Sequence, residues 1–144
     1  MKPPHWIESG RGAHGLVFLH GVSGGALGAS DLLPRLTPPG WRGLAWDMPG
    51  YGASAALDPF DFEALTVSLL AMLDAAGLDQ AVLVGHSMGG MVALQTAATF
   101  PNRVSGLVLA CCTPAFGTSS GAQQQAFLAR RLGPLDEGAS MRGL

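Results

Sequence analysis

Apolar residues along this chain fall into short unbroken runs separated by stretches of helical spacing. "GLVFLHG" (Gly15 to Gly21) is apolar without polar alternation and stops at a glycine, which is the pattern of a strand covered on both faces. "SDLLPRL" follows as a short helical pattern interrupted by Pro34, and "RGLAWDMPGYG" (Arg42 to Gly52) reads as a second strand running into a turn at Pro49 and Gly50. Between Asp61 and Ala76 the residues Phe62, Leu65, Leu69, Met72, Leu73 and Ala76 recur at helical spacing, with Gly77 as the stop. "AVLVGH" (Ala81 to His86) predicts a third strand, Met88 to Phe100 a helix ended by Pro101, and "VSGLVLACC" (Val104 to Cys112) a fourth strand. "HWIES" leaves room for one strand ahead of Gly15. Strand and helix alternate, so the expected fold class is α/β, a mostly parallel sheet with helices on both faces. After Thr113 a Gly/Ser-rich loop leads to a helical piece from about Ala122 to Leu132.

Composition sharpens this picture. Charged residues make up 12% of the chain and hydrophobic ones 48%, against about 25% charged in ordinary soluble domains, so the sequence reads like the inside of something larger. A net charge of −2 gives no basic field for nucleic acid and no polybasic segment for anionic lipid. The N-terminus lacks the apolar run of a signal peptide, and no stretch of about 18 apolar residues occurs. A soluble cytoplasmic protein without nucleic-acid or membrane partners is expected. Cys111 and Cys112 are neighbours in an apolar segment; adjacent strand residues face opposite ways, so they read as reduced core residues rather than a redox or metal pair.

The chemistry concentrates in "VLVGHSMGG" (Val82 to Gly90). "GHSMG" matches GxSxG, in which a strand turns sharply into a helix, a serine sits strained at the corner, and flanking glycines, here Gly85 and Gly89, keep side chains out of its way. Ser87 is therefore the candidate nucleophile, the competing reading being an ordinary helix N-cap. Acyl transfer also needs donors for a developing oxyanion. Met88 N–H follows the nucleophile, and "FLHGVSGG" (Phe18 to Gly25) at the end of its strand offers Val22 N–H. "HGVSGGALGAS" has no lysine for a phosphate loop and no GxGxxG for a dinucleotide.

"HGVSGG", "DMPGYGAS" and "GHSMGG", in this order and at these spacings, resemble the first half of an α/β-hydrolase-fold enzyme. The continuation "LVLACCTPAFG" with "FLARRLGPLDEG" is similar to the 3-oxoadipate enol-lactonase-like branch, whose members hydrolyse a lactone. The resemblance implies Ser87 as nucleophile, Val22 and Met88 as oxyanion donors, and a helical cap beginning near Thr113; no cofactor is expected, since no His, Cys or carboxylate cluster stands at ligand spacing. Residues 1–112 would then be the N-terminal part of the core and 113–144 the start of the cap.

In that family the chain order is Ser, then Asp or Glu, then His. Here His5, His14, His20 and His86 all precede Ser87, and the acids after it, Asp136 and Glu137, fall in the cap segment. His86 should point away from Ser87 on an extended strand, His20 is expected to organise the oxyanion loop, and His5 and His14 read as surface residues. Asp47 is expected to tie the "DMPGYG" turn through backbone hydrogen bonds. Arg130 or Arg131 could meet an acidic lactone, or simply line a solvated helix face. With no strand after Val104 to Cys112, the expectation is a truncated serine hydrolase acting on a small ester or lactone, with little activity alone. The alternatives are a non-catalytic fragment, or half of a split hydrolase completed by a partner chain or by self-association at the exposed sheet edge.

Overall fold

A computed structural model describes residues 2–112 and, beyond them, residues 121, 122, 125, 126, 129, 130, 133 and 138. The chain divides into two compact units, Met1–Thr113 and Pro114–Leu144. The first contains β1 (Trp6–Gly10), β2 (His14–Leu19), α1 (Leu33–Leu36), β3 (Trp41–Trp46), α2 (Phe62–Ala75), β4 (Ala81–His86), α3 (Met88–Thr99) and β5 (Val104–Ala110). They build a five-stranded sheet of order β1-β3-β2-β4-β5. Only β1 is antiparallel, aligned with β3 from Trp6 opposite Trp46 to Gly10 opposite Arg42; the other pairings are parallel. The α/β class and the mostly parallel sheet predicted from the hydrophobic runs are therefore present, and "HWIES" is the expected extra strand.

The unbroken apolar character of β2 has a simple cause. It lies between β3 and β4, so both of its faces need covering. Val17 and Leu19 join Leu44, Trp46, Leu65, Leu69, Met72, Leu73, Leu83 and Val92 in the larger core under α2 and α3. Leu16 turns to the other face, where Ala29, Leu33 and Ala45 cover it. Each fully buried Leu or Val contributes about 1.5–3 kcal/mol relative to exposure.

Helix α2 begins where Asp61 Oδ1 accepts from the Ala64 N–H at 2.7 Å and ends as its sequence predicts. Gly77 takes φ +68°, its N–H bonds to Asp74 C=O, and Leu78 N–H reaches back to Leu73 C=O, the glycine-terminated stop of a Schellman motif. Arg103 then staples the start of β5 to the turn before β4, through Asp74 Oδ1 and Asp79 C=O, both at 2.6 Å.

β3 ends at Trp46, just ahead of the turn expected at Pro49 and Gly50, and Asp47 holds the chain there with its side-chain bonds. β5 stops at Ala110, short of the expected Cys112, and Cys111 adopts φ +52°. This corrects the reading of the cysteines as core: Cys111 is exposed and Cys112 half-buried, both as free thiols, since a left-handed turn rather than a strand carries them. Of the expected helix from Ala122 to Leu132, residues 122, 125, 126, 129 and 130 are helical, as is residue 133; the rest of it lies outside the described residues.

Candidate functional site

Ser87 stands at the corner between β4 and α3 with φ +52° and ψ −119°. A non-glycine residue there costs of order 1–3 kcal/mol and persists only where its surroundings over-determine it. Here they do. Ser87 N–H is held by Ala110 C=O at 2.9 Å, and Ser87 C=O accepts from Gly90 N–H at 2.9 Å and Met91 N–H at 3.3 Å. The Ser87 side chain makes no capping bond, which sets aside the ordinary N-cap.

The glycines of the motif are required by close approach. A Cβ on Gly85 would strike the backbone of Gly89 and Gly90, one on Gly89 would strike the carbonyls of Leu19 and His20, and one on Gly90 would meet Cys112 Sγ at 2.7 Å. A Cβ on Gly21 would stand 3.0 Å from Ser87 Cβ and 3.2 Å from His86 Nδ1. The loop leaving β2 therefore packs directly on the serine corner. Val22, 42% exposed, is the next residue of that loop, in a turn closed by Gly24 N–H to Gly21 C=O at 3.0 Å. Met88 opens α3, where the first N–H groups have no intrahelical acceptor. Val22 and Met88 thus each directly follow one of the two residues, Gly21 and Ser87, that meet at this corner.

The histidines are placed differently from one another. His20 is buried; its Nδ1 lies 2.7 Å from Gly21 C=O and its Nε2 accepts from Met48 N–H at 3.0 Å. A carbonyl only accepts and an amide only donates, so the ring is neutral with its proton on Nδ1. Burial holds the His20 pKa below the usual imidazole value, against the Gly21 carbonyl and the Asp47 charge, which act the other way. With both nitrogens engaged, His20 is not free to serve as a base. His14 is exposed beside Trp41, ring centroids 5.2 Å apart, at the opposite end of the sheet from Ser87. His86 is exposed, and its side chain makes no hydrogen bond among the described residues.

His5 is at the surface, as the sequence suggests. Although exposed, it is not a bystander: its Nδ1 is 2.7 Å from Asp47 Oδ2. Asp47 ties its turn through Ala53 N–H at 3.1 Å, as the sequence suggests, but also accepts from Ala26 N–H at 2.8 Å on the far side of the loop leaving β2. Burial pushes its pKa up, yet the N–H groups of Ala26 and Ala53 and the His5 ring outweigh this and leave it below the usual carboxylate value. The contact with His5, 42 residues away, has no signal in the sequence. Asp136, Glu137 and Arg131 lie outside the described residues, and Arg130 is exposed. Among the described residues no three His, Cys, Asp or Glu side chains converge to hold a metal ion.

Comparison with known proteins gives a family-model match over residues 16–131, described as alpha/beta hydrolase fold. A pimeloyl-[acyl-carrier protein] methyl ester esterase from Edwardsiella ictaluri is 35% identical over 116 residues, covering 81% of this chain and 43% of that protein. Epoxide hydrolase A from Mycobacterium tuberculosis is 33% identical over 128 residues, covering 86% and 39%. A solved marine microorganism esterase superposes with a TM-score of 0.84 at 20% identity, over 97% of this chain and 52% of its own. The chain thus spans less than half the length of these two curated relatives.

Proposed function

The chain belongs to the alpha/beta hydrolase fold family, and from that premise we propose that Ser87 is the nucleophile of a hydrolase acting on a small carboxylic ester or lactone. In this reading Ser87 Oγ attacks the substrate carbonyl, the N–H groups of Val22 and Met88 receive the oxyanion, the alcohol leaves, and water releases the acyl group. The observation that carries it is the positive φ of Ser87 at a strand-to-helix corner, with its hydroxyl left out of helix capping. An ester is favoured by the relatives named as methyl ester esterases. The narrower enol-lactone substrate rests on the resemblance of the "LVLACCTPAFG" and "FLARRLGPLDEG" stretches, and residues 113–144 are proposed to be the start of a helical cap.

No histidine follows Ser87 in the sequence; His20, the buried one near the corner, is committed to backbone, and His86, whose Nδ1 also lies near Gly21, has no side-chain hydrogen bond among the described residues to orient it as a base. Because the histidine of this family follows the nucleophile, we assign the base to a histidine outside these residues. A second reading, in which another polypeptide or a second copy supplies it, is favoured by the apolar outer strand: Leu107, Val108 and Leu109 of β5 are exposed. Turnover of an activated aryl ester tests the assignment. Hydrolysis is expected about four to six orders of magnitude below a complete serine hydrolase, the cost of losing a catalytic histidine, and Ser87→Ala should lower this residual rate little further, because removing the serine as well as its base costs hardly more. Ordinary enzyme turnover that depends on Ser87 would mean that a base exists within the chain.

A further inference from the structure

The loop from Gly21 to Ala26 is exposed in its middle, at Val22, Ser23 and Gly24, and buried at both ends. Each buried end is held by one polar side chain. At Gly21 the His20 Nδ1–H donates to the carbonyl at 2.7 Å, while Nε2 accepts from Met48 N–H at 3.0 Å. At Ala26 the N–H donates to Asp47 Oδ1 at 2.8 Å. Met48 and Asp47 are consecutive residues leaving β3, so both ends of the loop hang from one point of the frame.

That point is itself fixed. Asp47 N–H donates to His5 C=O at 2.8 Å, the Ser54 hydroxyl donates to Asp47 C=O at 2.6 Å, and Ser54 Oγ in turn accepts from His5 N–H at 2.8 Å. The loop glycines yield the space these side chains occupy. A Cβ on Gly24 would enter the His20 ring, one on Gly25 would stand 3.4 Å from Asp47 Oδ1, and one on Gly52 would collide with the Asp47 carboxylate.

We propose that His20 and Asp47 are positioning residues, a two-point clamp that sets the direction of the Val22 N–H from behind the loop. This rests on the reading of Val22 as an oxyanion donor. Neither residue touches the reacting atoms; both act through the backbone of Gly21 and Ala26. A donor helps only when it is already aimed at the oxyanion, and between the clamped ends the loop has just the Gly24 to Gly21 bond among the described residues.

The test measures ¹⁵N order parameters of residues 21–26 in the 144-residue chain, together with phosphonylation of Ser87 by a fluorophosphonate in the presence of added imidazole. Wild type is compared with Asp47→Ala, His20→Ala, Asp47→Asn and His20→Asn. In the alanine variants the loop should fall from about 0.85 to below about 0.6 while β2 and β4 keep their values. Phosphonylation should slow by about 10-fold or more, short of the 10²–10³ that follows complete loss of a donor, through the bond-forming step and not through reagent binding. The asparagine variants should recover part of both. The amide of Asp47→Asn still offers a carbonyl to Ala26 N–H, and that of His20→Asn a donor to Gly21. Where an alanine variant does not fold, its asparagine counterpart carries the comparison at an intermediate rate. Unchanged order and rate in every folded variant would overturn the clamp and leave Ser87 as nucleophile. A wild-type chain that never labels would defeat the Ser87 reading and the clamp's catalytic role with it.

Discussion

The two edges of the sheet are built to different standards. On one side β1 closes the sheet with five residues paired antiparallel to β3, and half-buried Trp6 packs on the core. Glu8 places a charge on that edge, with Arg42 Nη2 3.3 Å away. Short length and charge are the usual means of blunting an edge. On the other side β5 runs for seven residues, with Leu107, Val108 and Leu109 exposed by 37, 50 and 42%, on both of its faces. The serine corner and the Gly21–Ala26 loop leave β4 and β2, the strands between these edges. In the proposed reading the nucleophile and its backbone donors need only these inner strands, whereas the acid and histidine of this family come from loops after later strands.

Substitutions should separate the two edges. The largest effect is expected in the main core, where Leu69→Ala on α2 removes a fully buried side chain and should cost about 2–5 kcal/mol in chemical denaturation. Gly89→Ala should follow: its methyl group would press on the carbonyls of Leu19 and His20, an overpacking of about 1–3 kcal/mol, with labelling of Ser87 lost before the fold is. Val108→Lys on β5 should stay within about 0.5 kcal/mol, as exposed substitutions do, while suppressing self-association measured by light scattering. A cost above 2 kcal/mol at Val108 would show that the edge is covered in solution.

Acid should act on the loop side. His20 is held neutral by burial, so below its ordinary value of 6.5 the unfolded chain takes up a proton that the folded chain refuses, and stability falls as pH drops. Asp47, whose pKa is lowered from 3.8, acts in the same direction further down: its contribution is present above that value and is lost as pH falls through the folded pKa. The denaturation midpoint should therefore decline from about pH 6.5 downward, and His20→Asn should flatten the upper part of that decline. A midpoint that rises on acidification would contradict both assignments.

Much of this was legible in the sequence, for physical reasons that also mark where legibility stops. β2 and β4 announce themselves because a strand covered on both faces must be apolar throughout, and α2 because one helical face must be. Ser87 could be located because the close approach at Gly85 and Gly89 admits no side chain. Local rules could not reveal what long-range contacts decide: the His5 to Asp47 bond spans 42 residues, and β3 ends at Trp46 because Asp47 bonds to Ala26, 21 residues earlier. Cys111 resembled core by hydropathy, yet the left-handed turn after Ala110 carries it to the surface.

The most direct measurement is the intact mass of the chain exposed to a fluorophosphonate, with and without imidazole, beside Ser87→Ala. The proposed nucleophile at Ser87, with its base assigned outside these residues, predicts slow modification, acceleration by imidazole, and no adduct in Ser87→Ala. Rapid stoichiometric labelling without imidazole would contradict the assignment of the base, and the absence of any adduct with imidazole present would contradict the proposed nucleophile.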